Sequence, residues 1–243
     1  MRNVWTIARR EFKLYFASPA AYLIAFMTLL VLGIIFYANV VASMLQQFAP
    51  SIQVILGPLV TIFLFAIPAI TMRLLAEEQR LGTMELLLTA PVRDWELVVG
   101  KWLGGFLFIL VIIAITWFYP ILLNQLVDPG IDQGPLLTGY LGMVLFVGAL
   151  VAVGVAISSL FSNQIAVYFA TLGVFLVLWL VSMPSQAMGA MGGGLLQYLD
   201  FSEHYYNTFY RGVIDLSDIV YFLSVTILAL FMGSVSVETR RWR

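Results

Sequence analysis

The chain is predicted to be an all-α integral membrane protein with six spanning helices, on three observations. Hydrophobic residues make up 62% of its 243 positions and charged residues 10%, where a soluble domain carries about 25% charged. Six uncharged apolar segments, roughly 20–41, 53–72, 102–126, 136–161, 165–183 and 219–237, interrupt the polar remainder. Each is close to the ~20 residues that cross a hydrocarbon core of about 30 Å. These runs are apolar on every face, which excludes the alternating pattern of a membrane β-barrel. The third observation is the placement of charge. Arg2, Arg9, Arg10, Lys13, Arg73, Arg80, Arg93, Lys101, Arg240, Arg241 and Arg243 fall on one side of a six-span arrangement, and Arg211 alone on the other. The positive-inside rule then puts both termini in the cytoplasm of a multi-pass inner or plasma membrane protein.

The elements follow in order. Trp5, Ala8, Phe12, Tyr15 and Phe16 recur at helical spacing with Arg9, Arg10 and Lys13 opposite them. That pattern predicts an amphipathic helix lying on the membrane surface, serving either as a topology anchor or as a contact element. A basic region of 19 residues followed by a full-length apolar run, with no A-x-A site, reads as a retained first helix rather than a signal peptide. The second span carries Pro58 and Pro68 and the third carries Pro120, positions where neighbouring helices must satisfy freed carbonyls. Gly148, Ala152 and Ala156 form a small-residue stripe in the fourth span, as do Gly100 and Gly104 at the start of the third. Such stripes admit close helix approach, either within one subunit or at a dimer seam. The segment 184–217 is too polar to span. Tyr198, Phe201, Tyr205 and Phe209 recur within it on one helical face, predicting an outer helix that lies at headgroup level with its hydroxyls in water or dips into the interface.

Several chemistries are excluded. No span core contains Lys, Arg, His, Asp or Glu, so the ionisable relay of an ion-coupled carrier is missing. There is no cysteine, and His204 is the only histidine. With Asp200 and Glu203 nearby, His204 reads as a weak metal site or as a solvated interfacial residue. No catalytic motif and no phosphate-binding loop is present: Trp102 follows Gly100–Lys101 where Ser or Thr is required. Neither a catalytic residue nor a cofactor is expected on this chain, nor a nucleic-acid partner.

The stretch 73–101 holds nine of the chain's Asp, Glu, Lys and Arg residues between long uncharged runs. Read as a helix, its first half has Leu81, Met84 and Leu88 on one face and Glu78, Gly82 and Glu85 on another. The apolar side could rest on the membrane or on other helices, and the acidic side could meet a basic groove on a partner. Pro91 ends the helix. The alternative is a solvated loop that only enforces topology, although sorting gains little from Glu.

The run E-E-Q-R-L-G-T-M-E-L-L-L-T-A-P-V over 77–92 resembles the cytoplasmic-loop signature of ABC-2 type transporter permeases. A second run, H-Y-Y-N-T-F-Y-R-G-V-I-D-L-S-D-I-V-Y over 204–221, is similar to one that precedes the last helix in the gliding-motility-associated branch. Tyr205 departs from that pattern, where Phe is commoner, and the basic spacing at Gln79–Arg80 departs from the first. The resemblance covers the whole chain as a single transmembrane domain. It implies a surface helix (1–19), two spans (20–72), a cytoplasmic coupling segment (73–101), three spans (102–183), an external segment (184–217), the last span (218–237) and a cytoplasmic tail (238–243).

What the resemblance implies is an export permease that pairs with a second permease copy or homologue and with separate ABC ATPase subunits. ATP and Mg would be bound by those ATPases. Glu77, Glu78, Gly82, Thr83 and Glu85 would contact the ATPase, and Pro91 would set the direction of the departing chain. His204, Tyr205, Phe209, Arg211 and Asp215 would lie in an external gate. The alternative is a mechanotransmitting subunit that passes ATP-driven motion to an extracytoplasmic partner without moving a solute.

Overall fold

The computed structural model describes residues 2–46, 49–83, 92–181, 196 and 198–241, which form helices and turns with no strand among them. In chain order the helices are α1 (Arg2–Ala17), α2 (Pro19–Gln46), α3 (Gln53–Thr71), α4 (Ala76–Arg80), α5 (Asp94–Thr116), α6 (Phe118–Leu126), α7 (Gln133–Leu160), α8 (Gln164–Leu180), α9 (Phe201–Tyr206) and α10 (Leu216–Arg241). Among the described residues, five stretches are long and apolar enough to cross a membrane: Pro19–Leu45, Gln53–Arg80, Asp94–Leu126, Gln133–Leu160 and Leu216–Thr239. The apolar helix α8 is shorter at 17 residues, about 25 Å at 1.5 Å per residue. Its predicted extension to residue 183 lies outside the described residues. An all-helical membrane bundle of five spans plus this shorter helix agrees with the six-segment hydropathy pattern.

Helix α7 is the hub of the bundle. Its side chain-free positions let neighbours reach its backbone: a Cβ on Gly142 would stand 2.4 Å from Phe209 Cγ, and one on Gly154 2.4 Å from Thr71 Oγ1. Its stripe of Gly148, Ala152 and Ala156 is taken up inside the chain. Gly148 faces Phe106 of α5, and Gly233 of α10 comes within 3.4 Å of Ala156 through its would-be Cβ. The outer surfaces of α2, α8 and α10 are apolar instead, with Phe26, Ile34, Phe169, Val177, Ile227 and Phe231 all exposed, as lipid-facing surfaces must be.

The third predicted span is interrupted at Trp117, where α5 gives way to α6. Pro120 accounts for the break, since it lacks the N–H that would bond the carbonyl of Thr116. The Tyr140 hydroxyl, from α7, lies 3.3 Å from that carbonyl and donates to it. A neighbouring helix thus satisfies the group that proline frees, as expected.

Two expectations are corrected. The surface helix does not keep its whole aromatic face for the membrane: Ala8 and Tyr15 are buried in the bundle together with Glu11, while Trp5 and Phe16 stay exposed. The segment before the last span is not one continuous helix. It breaks at Asn207 into α9 and a 3-10 turn over Phe209–Arg211, closed by Gly212 at φ +91°. Phe201, Tyr205 and Phe209 are buried while Tyr198 is exposed, so most of this aromatic face turns into the bundle rather than towards headgroups. The physical reason is room: Gly142 leaves a socket for Phe209, and the Tyr205 hydroxyl donates to Gly139 O at 3.3 Å.

Candidate functional site

The charged segment sits at the end of the bundle where α7 finishes. After α3 a turn leads into α4, whose first N–H groups would lack partners within the helix. Ser158 of α7 supplies one: its Oγ accepts from the backbone N–H of Leu75 and of Ala76, both at 3.1 Å. Gln79 Nε2 donates to Ser159 O at 3.0 Å. These three bonds fix α4 to the last turn of α7.

A second attachment is ionic. Lys101 Nζ lies 2.9 Å from Glu78 Oε1 and 3.1 Å from Glu11 Oε1. The lysine side chain is 2% exposed and that of Glu78 14%. The trio joins α1, α4 and α5. It can form because α1 lies directly on α5: a Cβ on Gly100 would be 2.7 Å from Ile7 Cβ, and one on Gly104 2.5 Å from Glu11 Cβ. The Gly100–Gly104 stripe therefore seats the surface helix of the same chain. At the start of both helices, Glu96 Oε2 accepts from Arg93 N and from Asn3 Nδ2, each at 3.1 Å. Such a carboxylate caps α5 and is favourably placed at a helix N-terminus.

Tyr15 adds a third tie. Its hydroxyl donates to Ile70 O at 3.1 Å, and burial, followed by the nearby Glu11 charge, pushes the phenol well above its usual range. It remains a donor. Arg73 Nη1 donates to Ser18 Oγ at 3.1 Å, so the turn after α3 is also joined to the turn between α1 and α2.

The residues singled out in this segment separate into two groups. Glu77 is partly exposed, with Arg80 Nη2 4.0 Å away. Gly82 and Thr83 are exposed, Thr83 Oγ1 donating to Glu78 O at 3.4 Å. Glu78 turns inward to Lys101 and does not share an outward face with Gly82. The two-faced helix expected over this stretch stops at Arg80, because Gly82 adopts φ +70°, the left-handed conformation in which glycine ends helices. Leu81, expected to rest on the membrane or on other helices, is 62% exposed and so does not pack on other helices. Glu85 and Pro91, with Met84 and Leu88, lie outside the described residues.

At the opposite end of α7 the second motif assembles around His204. This residue is buried, not solvated, and the carboxylate it pairs with is that of Asp218. Its Nδ1 is 2.6 Å from Asp218 Oδ1, its Nε2 2.9 Å from Tyr198 O, and its ring stacks on Tyr221 at 3.8 Å between centroids. Asp200 caps α9, accepting from Ser202 N at 2.8 Å, and Asn207 Nδ2 donates to Glu203. Among the described residues no group of three or more His, Cys, Asp or Glu is placed to hold a metal ion.

Arg211 is exposed in the 3-10 turn. Asp215 accepts from Ser217 N at 2.9 Å at the start of α10, and that backbone N–H holds its carboxyl below the usual carboxylate range. The segment is fastened to two helices. Thr138 Oγ1 of α7 donates to Phe209 O at 3.0 Å, and Tyr210 exchanges 3.4 Å bonds with Gln53 of α3. The segment read as a gate is thus a packed plug in which His204 pairs with Asp218 and Tyr205 and Phe209 pack on α7, while Arg211 stays exposed.

Sequence reasoning missed Glu11, Asp218 and Tyr221 as members of these clusters. Glu11 had one usable signal, as the sole acid among the basic residues of α1. Asp218 and Tyr221 stood in the motif already quoted, four and seven residues after Ile214.

Comparison with curated proteins finds no match. A family model described as ABC-2 family transporter protein matches residues 5–235, taking in the surface helix, the charged segment, the plug and all the apolar helices. On that match and on the helical membrane architecture, the chain belongs to the ABC-2 family of transporter proteins.

Proposed function

We propose that this chain is the membrane subunit of an ATP-driven exporter in which α4 and the turn after it receive the motion of a separate ABC ATPase. One observation carries the reading: Glu77 is partly exposed and Gly82 and Thr83 are exposed on a short element whose inner side is bonded to α5 and α7 and, through Lys101, to α1. An element open on one side and tied to three helices on the other can pass a push from a docked protein into the spans. Glu78 then acts as part of the linkage rather than as a contact. Glu85 and Pro91 belong to the same proposed docking segment.

The positive-inside distribution supports placing this end and both termini in the cytoplasm. A second permease copy or homologue completes the pathway. The plug around Tyr205 and Phe209, with His204, Arg211 and Asp215, is the proposed external gate, since its bonds to α3 and α7 must change if those helices separate. The mechanotransmitting alternative uses the same linkage with an extracytoplasmic partner in place of a solute.

The test is retention of an ATP-hydrolysing subunit by the detergent-solubilised chain. Wild type is expected to copurify with ATPase activity. Glu77→Lys and Thr83→Trp, which change exposed positions, should lose most of it while remaining monodisperse. Equal retention by both variants would remove the docking role. ATPase stimulation by a solute in liposomes then separates export from mechanotransmission.

A further inference from the structure

A cavity of about 650 Å³ lies beside the charged segment, between α1, the first turns of α2 and the end of α3. Its volume falls within the range of small-molecule sites, about 300–1,000 Å³. The walls divide by chemistry. Leu14, Ile24 and Ala69 form an apolar side, while Arg10, Arg73 and Ser18 supply donors. Glu11, Glu77 and Glu78 also line it, but each carboxylate already lies against a cation from outside the lining. Glu11 and Glu78 are held by Lys101, and Glu77 lies 4.0 Å from Arg80. Among the described residues neither Arg10 nor Arg73 stands within ion-pair distance of a carboxylate. Arg73 spends one N–H on Ser18 Oγ, and a guanidinium has five to offer. The Ser18 hydroxyl, accepting that bond, keeps its own hydrogen for a ligand.

The position selects the ligand. The cavity is at the level where α2 leaves Pro19 and α3 ends at Thr71, the polar edge of two spanning helices. Further along α2, Met27 and Val31, three and seven residues after Ile24 and so on its face of the helix, are exposed and continue the apolar wall along the lipid-facing surface. A free inorganic anion would use the two guanidinium groups and none of the apolar side. An uncharged lipid would leave the arginines without a counter-charge. We infer that the cavity binds the anionic phosphate headgroup of a membrane phospholipid, with Arg10, Arg73 and Ser18 on the phosphate and the acyl chains running along α2. Arginine favours such a ligand because its planar donors match phosphate oxygens. The inference goes beyond the proposed ATPase coupling and does not depend on it.

Native mass spectrometry of the purified full chain tests it, with short-chain phosphatidylglycerol, short-chain phosphatidylcholine and inorganic phosphate as probes. Phosphatidylglycerol is expected to be retained at least about tenfold more tightly than phosphatidylcholine, and Arg10→Gln and Arg73→Gln each to weaken it about tenfold. Arg9→Gln, on the same helix but outside the cavity, should leave retention unchanged. Ala20→Trp, which keeps both arginines and fills the cavity, should abolish it. Should Arg73→Gln fail to give monodisperse protein, the exposed Arg10 and the filling variant decide. Equal retention of the two lipids, indifference to Arg10→Gln, or full binding by Ala20→Trp would each overturn the site. Displacement of phosphatidylglycerol by equimolar inorganic phosphate would overturn the lipid assignment in favour of a free-anion site.

Discussion

Replacing Lys101 with Met takes away the ammonium that bridges Glu11 and Glu78 and leaves an apolar stem of similar length. At the observed 2.9 and 3.1 Å, each contact is worth a gross ~5–6 kcal/mol at an effective dielectric of about 20. Desolvation of three nearly buried charges offsets most of that sum. What matters for the single variant is the remainder: two carboxylates left in a buried position without their cation. Breaking a buried pair from one side costs about 3–5 kcal/mol. For a chain of this size, about 2–4 °C of melting temperature corresponds to each kcal/mol, so the fall should be roughly 6–20 °C. Intrinsic tryptophan fluorescence or thermal loss of the monodisperse peak in detergent reads it.

The triple variant Glu11→Gln, Lys101→Met, Glu78→Gln is the sharper measurement. With no charge left, the penalty of an unpaired carboxylate disappears, and stability should return to within about 1–2 kcal/mol of wild type. If Lys101→Met melts within about 2 °C of wild type, the trio is not a buried ionic link. If the triple variant is as unstable as the single one, the lysine stem rather than its charge is what the site requires. The linkage account of α4 would fail in either case.

Gly104→Val should force α1 off α5, since its first added atom would lie 2.5 Å from Glu11 Cβ; overpacking of this kind costs about 1–3 kcal/mol, and limited proteolysis should cut within α1. Gly148→Ala, whose new atom would meet Phe106 at an ordinary 3.4 Å, should change neither readout. Tyr140→Phe removes the donor to Thr116 O and should cost about 1–2 kcal/mol. In a Pro120→Ala background the restored backbone N–H serves that carbonyl, so the same change should cost less; equal costs in both backgrounds would refute the carbonyl-rescue account. Finally, single cysteines in this cysteine-free chain should label at residue 80 from the cytoplasm and at residue 206 from outside; the reverse pattern would sink the proposed orientation.

The spans were legible because hydropathy acts through length and composition alone. A bilayer requires long apolar runs, and 136–161 predicts nearly the bounds that α7 shows. Proline chemistry was legible for the same local reason: Pro120 announces a freed carbonyl at Thr116, although not that Tyr140 would be its donor. What could not be read was which polar groups meet across the fold. Glu11 and Lys101 are 90 positions apart, and an acid on a basic surface helix looks solvated until the glycines of α5 are seen to bring that helix down onto it. His204 and Asp218 belong to one quoted motif, yet their pairing depends on α9 folding back along the start of α10.

Charge patterning misled in an instructive way at Glu78. A helical wheel places Glu78, Gly82 and Glu85 together and treats acidic residues as outward-facing. The wheel fails first at Gly82, whose φ of +70° ends the helix after a single turn or so. It fails again because Lys101, buried at 2% exposure, demands counter-charge. A buried ammonium is costly unless paired, so the fold recruits the nearest carboxylate from each of two elements, and Glu78 is the one the charged segment provides. Glu77, one residue earlier, points along a different side of the same turn and is left for solvent. Neighbouring glutamates in one motif therefore have opposite surroundings, one closing the linkage to α1 and α5 and the other partly exposed, where the proposed ATPase would meet it. Reversing charge at Glu78 should weaken the fold and docking together, whereas reversing it at Glu77 should weaken docking and leave the fold as stable as before.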